Sequence, residues 1–344
     1  MPNADADTPA RPIPRRRLLA AASLSTVLPL LASGCASPLP GIAGDGTASD
    51  GDAAARRVFD AACAAHGLAA WRRIHDLNLT FEGEWRALVP RLQPELVDAG
   101  FRGRSEERVL PGAGLVAQLH TGPAGHKQVI RRRGAIGANR ATGTGSATGV
   151  GDVAVAYNGQ PSTVEAARDA AALVVDGYLL FLLGPLALAD REAAGQTLAM
   201  RLDEPEAVDG RLCDALAVRL APGLGFAAVD QLILFIDREE RLMRRVRFSL
   251  EGLASTQGAV AEVDVWEHRR AHGVMWPTRF HERLRRPIPG LPVHDWRLVG
   301  LDIDRGYEAA DFSGPGAFTP DGRNFTGRAA RPAEPWPDAR TPRP

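Results

Sequence analysis

Alternation between apolar and polar residues recurs along most of this chain and predicts a large β-sheet. In the first such segment Leu77, Leu79 and Phe81 alternate with polar neighbours, which is the period of a strand with one buried face. Strand-like segments of this kind occupy residues 77–85, 115–119, 127–132, 153–157, 212–220, 231–236, 242–250, 259–268, 274–283 and 296–303. Several are separated by short turns, and short turns join only antiparallel neighbours. We therefore expect an antiparallel meander.

Two segments have helical character instead. Residues 53–65 place small apolar side chains on one helical face, and Gly67 follows them as a typical helix stop. Residues 162–190 interrupt the strands, are strongly apolar from residue 170 onwards, and are broken near their end by Gly184-Pro185. A helix this apolar must be packed against another element to be shielded from water, and so must the inner face of the sheet. We expect the two to pack together in an α+β layer architecture.

The first 35 residues have the pattern of an export signal that ends at a cysteine. Basic residues precede an apolar run that is too short, and interrupted by Pro29, to span a membrane. The residues that resemble a twin-arginine signal are Arg15, Arg16, Leu18 and Leu19. The general secretion route is the alternative, because an ordinary signal also begins with basic residues.

Cys35 stands where a bacterial lipoprotein cleavage box has its acylated residue. Small residues precede it, although Ala32 takes the position at which that box usually carries leucine. The resemblance implies that residues 1–34 are removed and that Cys35 receives acyl chains, which together anchor a protein stably to a membrane. Ala36 after the cysteine resembles lipoproteins sent to the outer membrane. The alternative is cleavage near Ala36 without lipid, which leaves a soluble periplasmic protein.

Composition sets the remaining boundaries. The formal net charge is +0, which argues against a nucleic-acid binder, and Lys127 is the only lysine among 41 basic residues. Residues 35–52 are poor in large apolar groups and predict a flexible tether. Residues 53–314 then form the folded domain, and residues 315–344, rich in Pro and Arg, predict a disordered tail.

Several segments, taken in order, resemble one class of bacterial proteins. They are the helix ending in "AHG" with Trp71 four residues after Gly67, the apolar "YLLFLLGPLAL", the strands "QLILFID" and "LMRRVRFSL", the hairpin "VDVWEHRRAHGVMWPTRF" and the closing "DFSGP". In this order they are similar to the periplasmic lipoprotein-carrier class, the fold of the outer-membrane lipoprotein carrier and receptor. The resemblance implies a curved antiparallel half-barrel sheet of about 10–11 strands, covered on its concave face by helices. In such carriers the cavity under the helices holds acyl chains or another lipid.

Large aromatic side chains on the strands and on the apolar helix are the candidates for lining such a pocket. They are Phe81, Trp85, Tyr178, Phe181, Trp266, Trp276 and Phe280. The alternative for each is that it fills the core, which is the commoner role of buried aromatic residues. Residues 131–133, three consecutive arginines, are candidates for contact with anionic lipid headgroups, and a solvated strand face is their alternative.

No catalytic motif, metal site or cofactor is predicted. His268, His272 and His281 fall around one hairpin, but exposed strand and turn positions explain them better than zinc ligation. Cys63 and Cys213 remain once the lipidated cysteine is set aside, and two buried thiols are favoured over a disulfide.

The leading functional hypothesis is a membrane-tethered periplasmic lipoprotein that binds or shuttles a lipid or another amphiphile in an apolar cavity. Its partners are then a lipid or hydrophobic small molecule and the membrane itself, through the acyl chains on Cys35. A non-enzymatic module on the same fold, which recognises an envelope protein, is the second hypothesis. A metal-dependent hydrolase is the third, and it requires the three histidines to converge with acids in a cleft.

Overall fold

The computed structural model describes Leu39 and residues 50–134, 151–196 and 198–312. Its α-helices are α1 (Asp50–His66), α2 (Leu68–Trp71), α3 (Val89–Leu92), α4 (Pro94–Val97), α5 (Glu165–Leu183) and α6 (Pro185–Ala193). The sequence had indicated α1 and the α5–α6 pair, including the break between them, whereas the short α3 and α4 were not predicted.

The strands form one large sheet and one small hairpin. They are β1 (Leu77–Trp85), β2 (Arg104–Leu110), β3 (Leu115–Gly122), β4 (Gly125–Arg132), β5 (Asp152–Tyr157), β6 (Gln160–Pro161), β7 (Ala199–Val208), β8 (Arg211–Leu220), β9 (Asp230–Asp237), β10 (Met243–Ser249), β11 (Val260–Trp266), β12 (Arg269–Ala271), β13 (Val274–Trp276), β14 (Arg279–Arg286) and β15 (Pro292–Ile303). The large sheet has thirteen strands in the order β6-β5-β4-β3-β2-β1-β15-β14-β11-β10-β9-β8-β7, and β12 pairs with β13. It is not closed into a barrel, since β6 and β7 are its two edges.

The α+β architecture with a large antiparallel sheet is confirmed, but the expected 10–11 strands were too few. β2 was missed because its sequence, RSEERVL, carries charges on both faces, and Glu107 and Arg108 are both buried. β7, with the sequence AMRLDEPEAV, is similarly rich in charges. The segment 274–283 divides into β13 and β14 at Pro277, which has no backbone N–H to donate to a ladder.

Two meanders meet at the middle of the sheet. β1 pairs with β15 along its full length, from Leu77 opposite Ile303 to Trp85 opposite His294. The chain between the edge strands β6 and β7 contains α5 and α6. This connection therefore brings the most apolar helix of the described chain to the sheet.

The main hydrophobic core contains residues of both layers. From α5 it includes Leu179 and Phe181, and from the sheet it includes Leu79, Phe248 and Trp296. Every residue of α5 from position 170 to its end is buried. Within the described ranges no single helix is long and apolar enough to cross a membrane; α5 and α6 meet that criterion only together, across a bend of 113°.

The corner between α1 and α2 is fixed against the β12–β13 hairpin. Gly67 has φ +92°, and a Cβ at this position would lie 2.3 Å from the carbonyl oxygen of Gly273. Trp71 packs edge-on against Trp276 with ring centroids 6.2 Å apart. The His66 ring closes the corner by accepting a hydrogen bond at Nε2 from a backbone N–H of β10. The "AHG" and "AHGVMW" segments, far apart in sequence, are thus in direct contact.

The predicted terminal segments lie largely outside the described residues. These are the export-signal residues, Cys35 and the tail 315–344. Leu39, within the predicted tether, packs against a second apolar cluster on β7, β8 and β9. Cys63 and Cys213 are both free and buried, in agreement with the favoured alternative.

We predict that Gly67→Ala destabilises the protein by about 2–5 kcal/mol, because a left-handed backbone costs about 1–2 kcal/mol and overpacking adds about 1–3 kcal/mol. Gly210→Ala is the matched control: Gly210 has φ +77° but no atom within 4 Å of its would-be Cβ. Urea unfolding of both variants measures the difference. Equal losses of unfolding free energy would show that the contact with Gly273 does not constrain the corner.

Candidate functional site

A cavity of about 220 Å³ is lined by α5, α6, strands β2–β4 and the loop that follows β8. It is larger than the roughly 150 Å³ apolar cavity that is known to hold benzene, and somewhat below the usual range for drug-sized ligands, about 300–1,000 Å³. The lining residues are Trp71, Val109, Leu110, Pro111, Gly112, Ala113, Gly114, Leu115, Val116, Arg131, Arg133, Gly134, Asp176, Leu179, Leu183, Ala187, Asp190, Arg191, Ala194, Gln196, Pro222, Gly223 and Gly225.

The apolar wall follows from strand and helix periodicity. Val109 lies opposite Val116, and Val116 lies opposite Arg131, so these three side chains occupy the same sheet face on adjacent strands. On α5 the spacing of Leu179 and Leu183 places both on one helical face. Apolar side chains from the sheet and from the helix therefore face the same space.

A buried carboxylate on the same face of α5 makes the polar end of the cavity. Asp176 Oδ2 accepts hydrogen bonds from Arg131 Nη2 at 3.2 Å and from the Gly225 N–H at 2.9 Å, and Oδ1 accepts from Arg133 Nε at 3.0 Å. Burial alone would raise the pKa of Asp176, but the charges of Arg133 and Arg131 outweigh it and lower this pKa below its ordinary value. Asp176 is therefore ionised at neutral pH.

Glycine is required where the loop after β8 meets α5. Gly225 has φ +59°, and a Cβ at this position would lie 2.9 Å from the backbone nitrogen of Leu173. The absence of a side chain allows the loop backbone to approach the helix closely enough for the Gly225 N–H to reach Asp176. The Gly225 carbonyl also accepts a hydrogen bond from Arg131 Nη2 at 2.8 Å.

A third arginine borders the cavity without a carboxylate partner in the described part of the chain. Arg191 Nη1 donates to the carbonyl oxygens of Pro222 at 3.1 Å and Gly223 at 3.3 Å and to Gln196 Oε1 at 3.4 Å. Burial, followed by the charge of Arg133, lowers the pKa of Arg191 to about 10, so the guanidinium remains charged at neutral pH.

The second carboxylate of the lining, Asp190, is held by the indole of Trp71. Trp71 Nε1 donates to Asp190 Oδ1 at 3.0 Å and to Oδ2 at 2.8 Å, and burial raises the pKa of Asp190. This contact joins α2 to α6 at the edge of the cavity. Apolar surface and a cluster of arginines consequently share one space, which suits a molecule with an apolar part and a polar part.

Most of the aromatic residues predicted from the sequence meet around Trp296, which was not among them. The ring centroid of Trp296 lies 5.0 Å from that of Phe280, 5.5 Å from that of Tyr178 and 5.9 Å from that of Phe181. Phe81 joins the same cluster through Tyr178, at 6.0 Å. In this structure they pack mainly against one another.

The other three aromatic candidates lie elsewhere. Trp85 stacks on His294 with centroids 4.2 Å apart, Trp276 contacts Trp71, and Trp266 is half-buried and donates to Asp209. None of the seven candidates lines the 220 Å³ cavity. Phe81, Trp85 and Tyr178 border a separate space of about 20 Å³, the size of a single water molecule. Their contact with a ligand stays a prediction.

The residues of the cavity were largely missed because they are scattered through the sequence. The strongest signal was Asp176, a carboxylate in the middle of an apolar helix, since such a charge needs a buried partner. Arg131 and Arg133 were considered as headgroup contacts, and the structure buries the first and half-buries the second. Arg191 carried no distinguishing pattern in the sequence.

The three histidines that a metal-dependent hydrolase would need do not come together. His268 Nδ1 is paired with Arg244, His281 Nδ1 is 2.8 Å from Asp295 Oδ1, and His272 is exposed in a turn. Among the described residues no group of three or more metal-ligating side chains is present.

A second buried polar cluster lies on the same sheet face as the cavity. Glu107 of β2 lies opposite Gln118 of β3. Two residues further along β3, His120 lies opposite Lys127 of β4. Lys127 is buried and donates from Nζ to Asp98 Oδ2 at 2.8 Å, and burial lowers its pKa to about 8. This cluster concentrates titratable groups inside the fold.

No protein-family model matches the chain, and a search of curated proteins gave no match either. Solved structures do resemble it. A DUF1329 family protein from Desulfovibrio piger is 12% identical, with a TM-score of 0.46 over 78% of this chain and 100% of that one. A putative outer membrane lipoprotein-sorting protein domain from Vibrio parahaemolyticus is 10% identical, with a TM-score of 0.43 over 76% of this chain and 99% of that one.

A LolA superfamily protein from Nitrosomonas europaea is 11% identical, with a TM-score of 0.42 over 76% of this chain and 97% of that one. Two of these structures belong to the class that the sequence segments resemble, and the likeness concerns the fold alone.

We predict that Glu107 makes the protein less stable as the pH rises from 5 to 8. Burial raises its pKa from 4.5 to about 7, so the native state binds a proton that the unfolded state has released. The stabilisation is complete below pH 4.5, decreases as the pH rises, and is lost above about pH 7. The decrease is on the order of 3 kcal/mol.

Urea unfolding at both pH values measures this effect. From pH 5 to pH 8, the free energy of unfolding of Glu107→Gln should rise by this amount relative to that of the wild type. Glu106→Gln, at the preceding position of β2, is the control for loss of a carboxylate from this strand. A stability difference between Glu107→Gln and wild type that is the same at pH 5 and pH 8 would contradict the prediction.

Proposed function

We propose that this protein is a membrane-tethered lipoprotein of the bacterial envelope that binds or shuttles an amphiphile in the cavity beside α5 and α6. The observation that carries the proposal is the cavity itself, in which apolar side chains of β2, β3 and α5 face a cluster of arginines. Burial of apolar surface is worth about 25 cal/mol per Å², so an acyl segment can be held without any catalytic group.

The lining suggests where a ligand enters. Gly112 and Ala113, in the turn between β2 and β3, are exposed and line the cavity, and so does Ala194 after the last turn of α6. The opposite wall, formed by Val116, Leu179 and their neighbours, is buried. A ligand would thus insert its apolar part between rigid elements and enter past two short surface segments.

The cellular location of the protein is part of the same proposal. Export through a twin-arginine signal, acylation of Cys35 and delivery to the outer membrane would keep the domain beside the membrane that supplies amphiphiles. The half-barrel curvature with a helical cover is also part of this proposal. So is a ligand role for the predicted aromatic residues Phe81, Trp85, Tyr178, Phe181, Trp266, Trp276 and Phe280. Lipoprotein-sorting and LolA superfamily proteins among the similar structures agree with this role.

A protein-recognition module is the second candidate, and one surface feature favours it. Leu88 and Leu92, one helical turn apart at α3, are each 47% exposed. Exposed apolar side chains that lie together are typical of a docking surface. This role would use a surface away from the cavity lining.

We predict that Cys35→Ser releases the protein from the membrane. The variant cannot form the thioether to a diacylglyceryl group, so both acyl chains are lost and stable anchoring with them. Metabolic labelling with a radioactive fatty acid, followed by membrane fractionation of a Gram-negative host, measures acylation and location together. Equal labelling and membrane recovery of Cys35→Ser and wild type would contradict the anchor.

We predict that Ala194→Trp lowers the affinity for 1-octanol at least about fivefold, because the indole occupies the cavity entrance and displaces part of the ligand from apolar contact. Ala193→Trp is the matched control, since Ala193 is also exposed but does not line the cavity. Ligand-detected NMR titration of the mature chain gives the affinities. No saturable binding of octanol to the wild type, or equal weakening by both variants, would contradict the site.

A further inference from the structure

The cavity carries more positive than negative charge. Its lining contains three arginines, Arg131, Arg133 and Arg191, against two carboxylates, Asp176 and Asp190. The net charge of the lining is therefore positive even with both acids ionised. A space of this size, partly removed from water, favours an occupant that supplies a negative charge.

The two carboxylates are already fully engaged. Both oxygens of Asp176 accept hydrogen bonds, from Arg131 and Gly225 on one side and from Arg133 on the other. Both oxygens of Asp190 accept from Trp71. Neither acid is within salt-bridge distance of Arg191.

Two of the arginines keep donors without acceptors in the described part of the chain. The Arg131 side chain is only 2% exposed, and its buried Nε has no hydrogen-bond partner among the described residues. Arg191 makes its three hydrogen bonds through Nη1 alone. A guanidinium has five N–H donors in a planar fork that matches the geometry of a carboxylate or phosphate.

We infer that the cavity selects amphiphiles with an anionic head group, a carboxylate or a phosphate, which binds at Arg191 and Arg131 while the chain lies against Val109, Val116, Leu179 and Leu183. This inference rests on the proposed function and narrows its ligand class. Arg191 then acts as the main head-group ligand, because it is the arginine of the lining that forms no salt bridge with a carboxylate of the described chain.

The test compares ligands that share one chain and differ in the head. The probes are octanoate, octyl phosphate and 1-octanol, with inorganic phosphate as the head group without a chain. Charge-assisted hydrogen bonds are the strong ones, so we expect octanoate and octyl phosphate to bind the wild type at least about tenfold more tightly than octanol. Inorganic phosphate should bind at least about tenfold more weakly than octyl phosphate, because it buries no chain.

Variants then locate the head group. Arg191→Gln should lower the preference for octanoate over octanol to about threefold or less. Arg57→Gln, which removes an exposed arginine of α1 that is not part of the lining, should keep the wild-type preference. Arg191→Lys retains the charge without the planar fork, so its preference for octanoate over octanol should lie between those of the wild type and Arg191→Gln. It serves as the second variant if circular dichroism shows that Arg191→Gln is unfolded.

Each contrary outcome has a separate meaning. Equal affinity for octanol and octanoate overturns the head-group inference and leaves the proposed function standing. Saturable binding of none of the octyl probes overturns both. Inorganic phosphate that binds as tightly as octyl phosphate shows a simple anion site and overturns the inferred amphiphile. A preference that persists in Arg191→Gln removes Arg191 from the head-group role.

Discussion

The buried ion pair between Asp176 and Arg131 is the contact on which the geometry of the cavity depends. It links α5 to β4, and through the Gly225 N–H it also links both to the loop after β8. A single carboxylate thus positions one helix, one strand and one loop. Removal of one partner from a buried pair of this kind typically costs about 3–5 kcal/mol, because the other charge is left without compensation. An apolar pair in the same place would hold the elements together as well, but would not leave a cationic end to the cavity.

The bend at Gly184 produces the second half of the site. A straight continuation of α5 would carry Asp190 and Arg191 away from the sheet, whereas the 113° bend turns α6 so that both line the cavity. Trp71 then fixes α6 from the other side through its hydrogen bonds to Asp190, and its ring packs against Trp276 of the small hairpin. The first and last thirds of the chain therefore both contribute to the position of one helix of nine residues.

The sequence predicted the sheet and the apolar helix because these depend on local periodicity. β2 and β7 were missed, since their many charged residues, of which Glu107 and Arg108 in β2 are buried, obscure the alternation. The sequence predicted an apolar cavity, and none of the residues chosen for it lines the 220 Å³ cavity. The seven aromatic residues were chosen for size, and five of them, Phe81, Tyr178, Phe181, Trp276 and Phe280, are buried among core residues. The cavity lining combines aliphatic side chains with Arg131, Asp176 and Arg191, and only the folded chain brings these positions together.

The pairing of Lys127 with Asp98 makes the protein unusually simple to follow by covalent chemistry. Lys127 is the only side-chain amine in the sequence, it is 1% exposed, and its Nζ is bound to the residue that follows α4. An amine-specific reagent can reach it only when the segment around Asp98 moves away from β4. The rate of acylation at this one nitrogen therefore measures how often that segment opens, with no need to introduce a label.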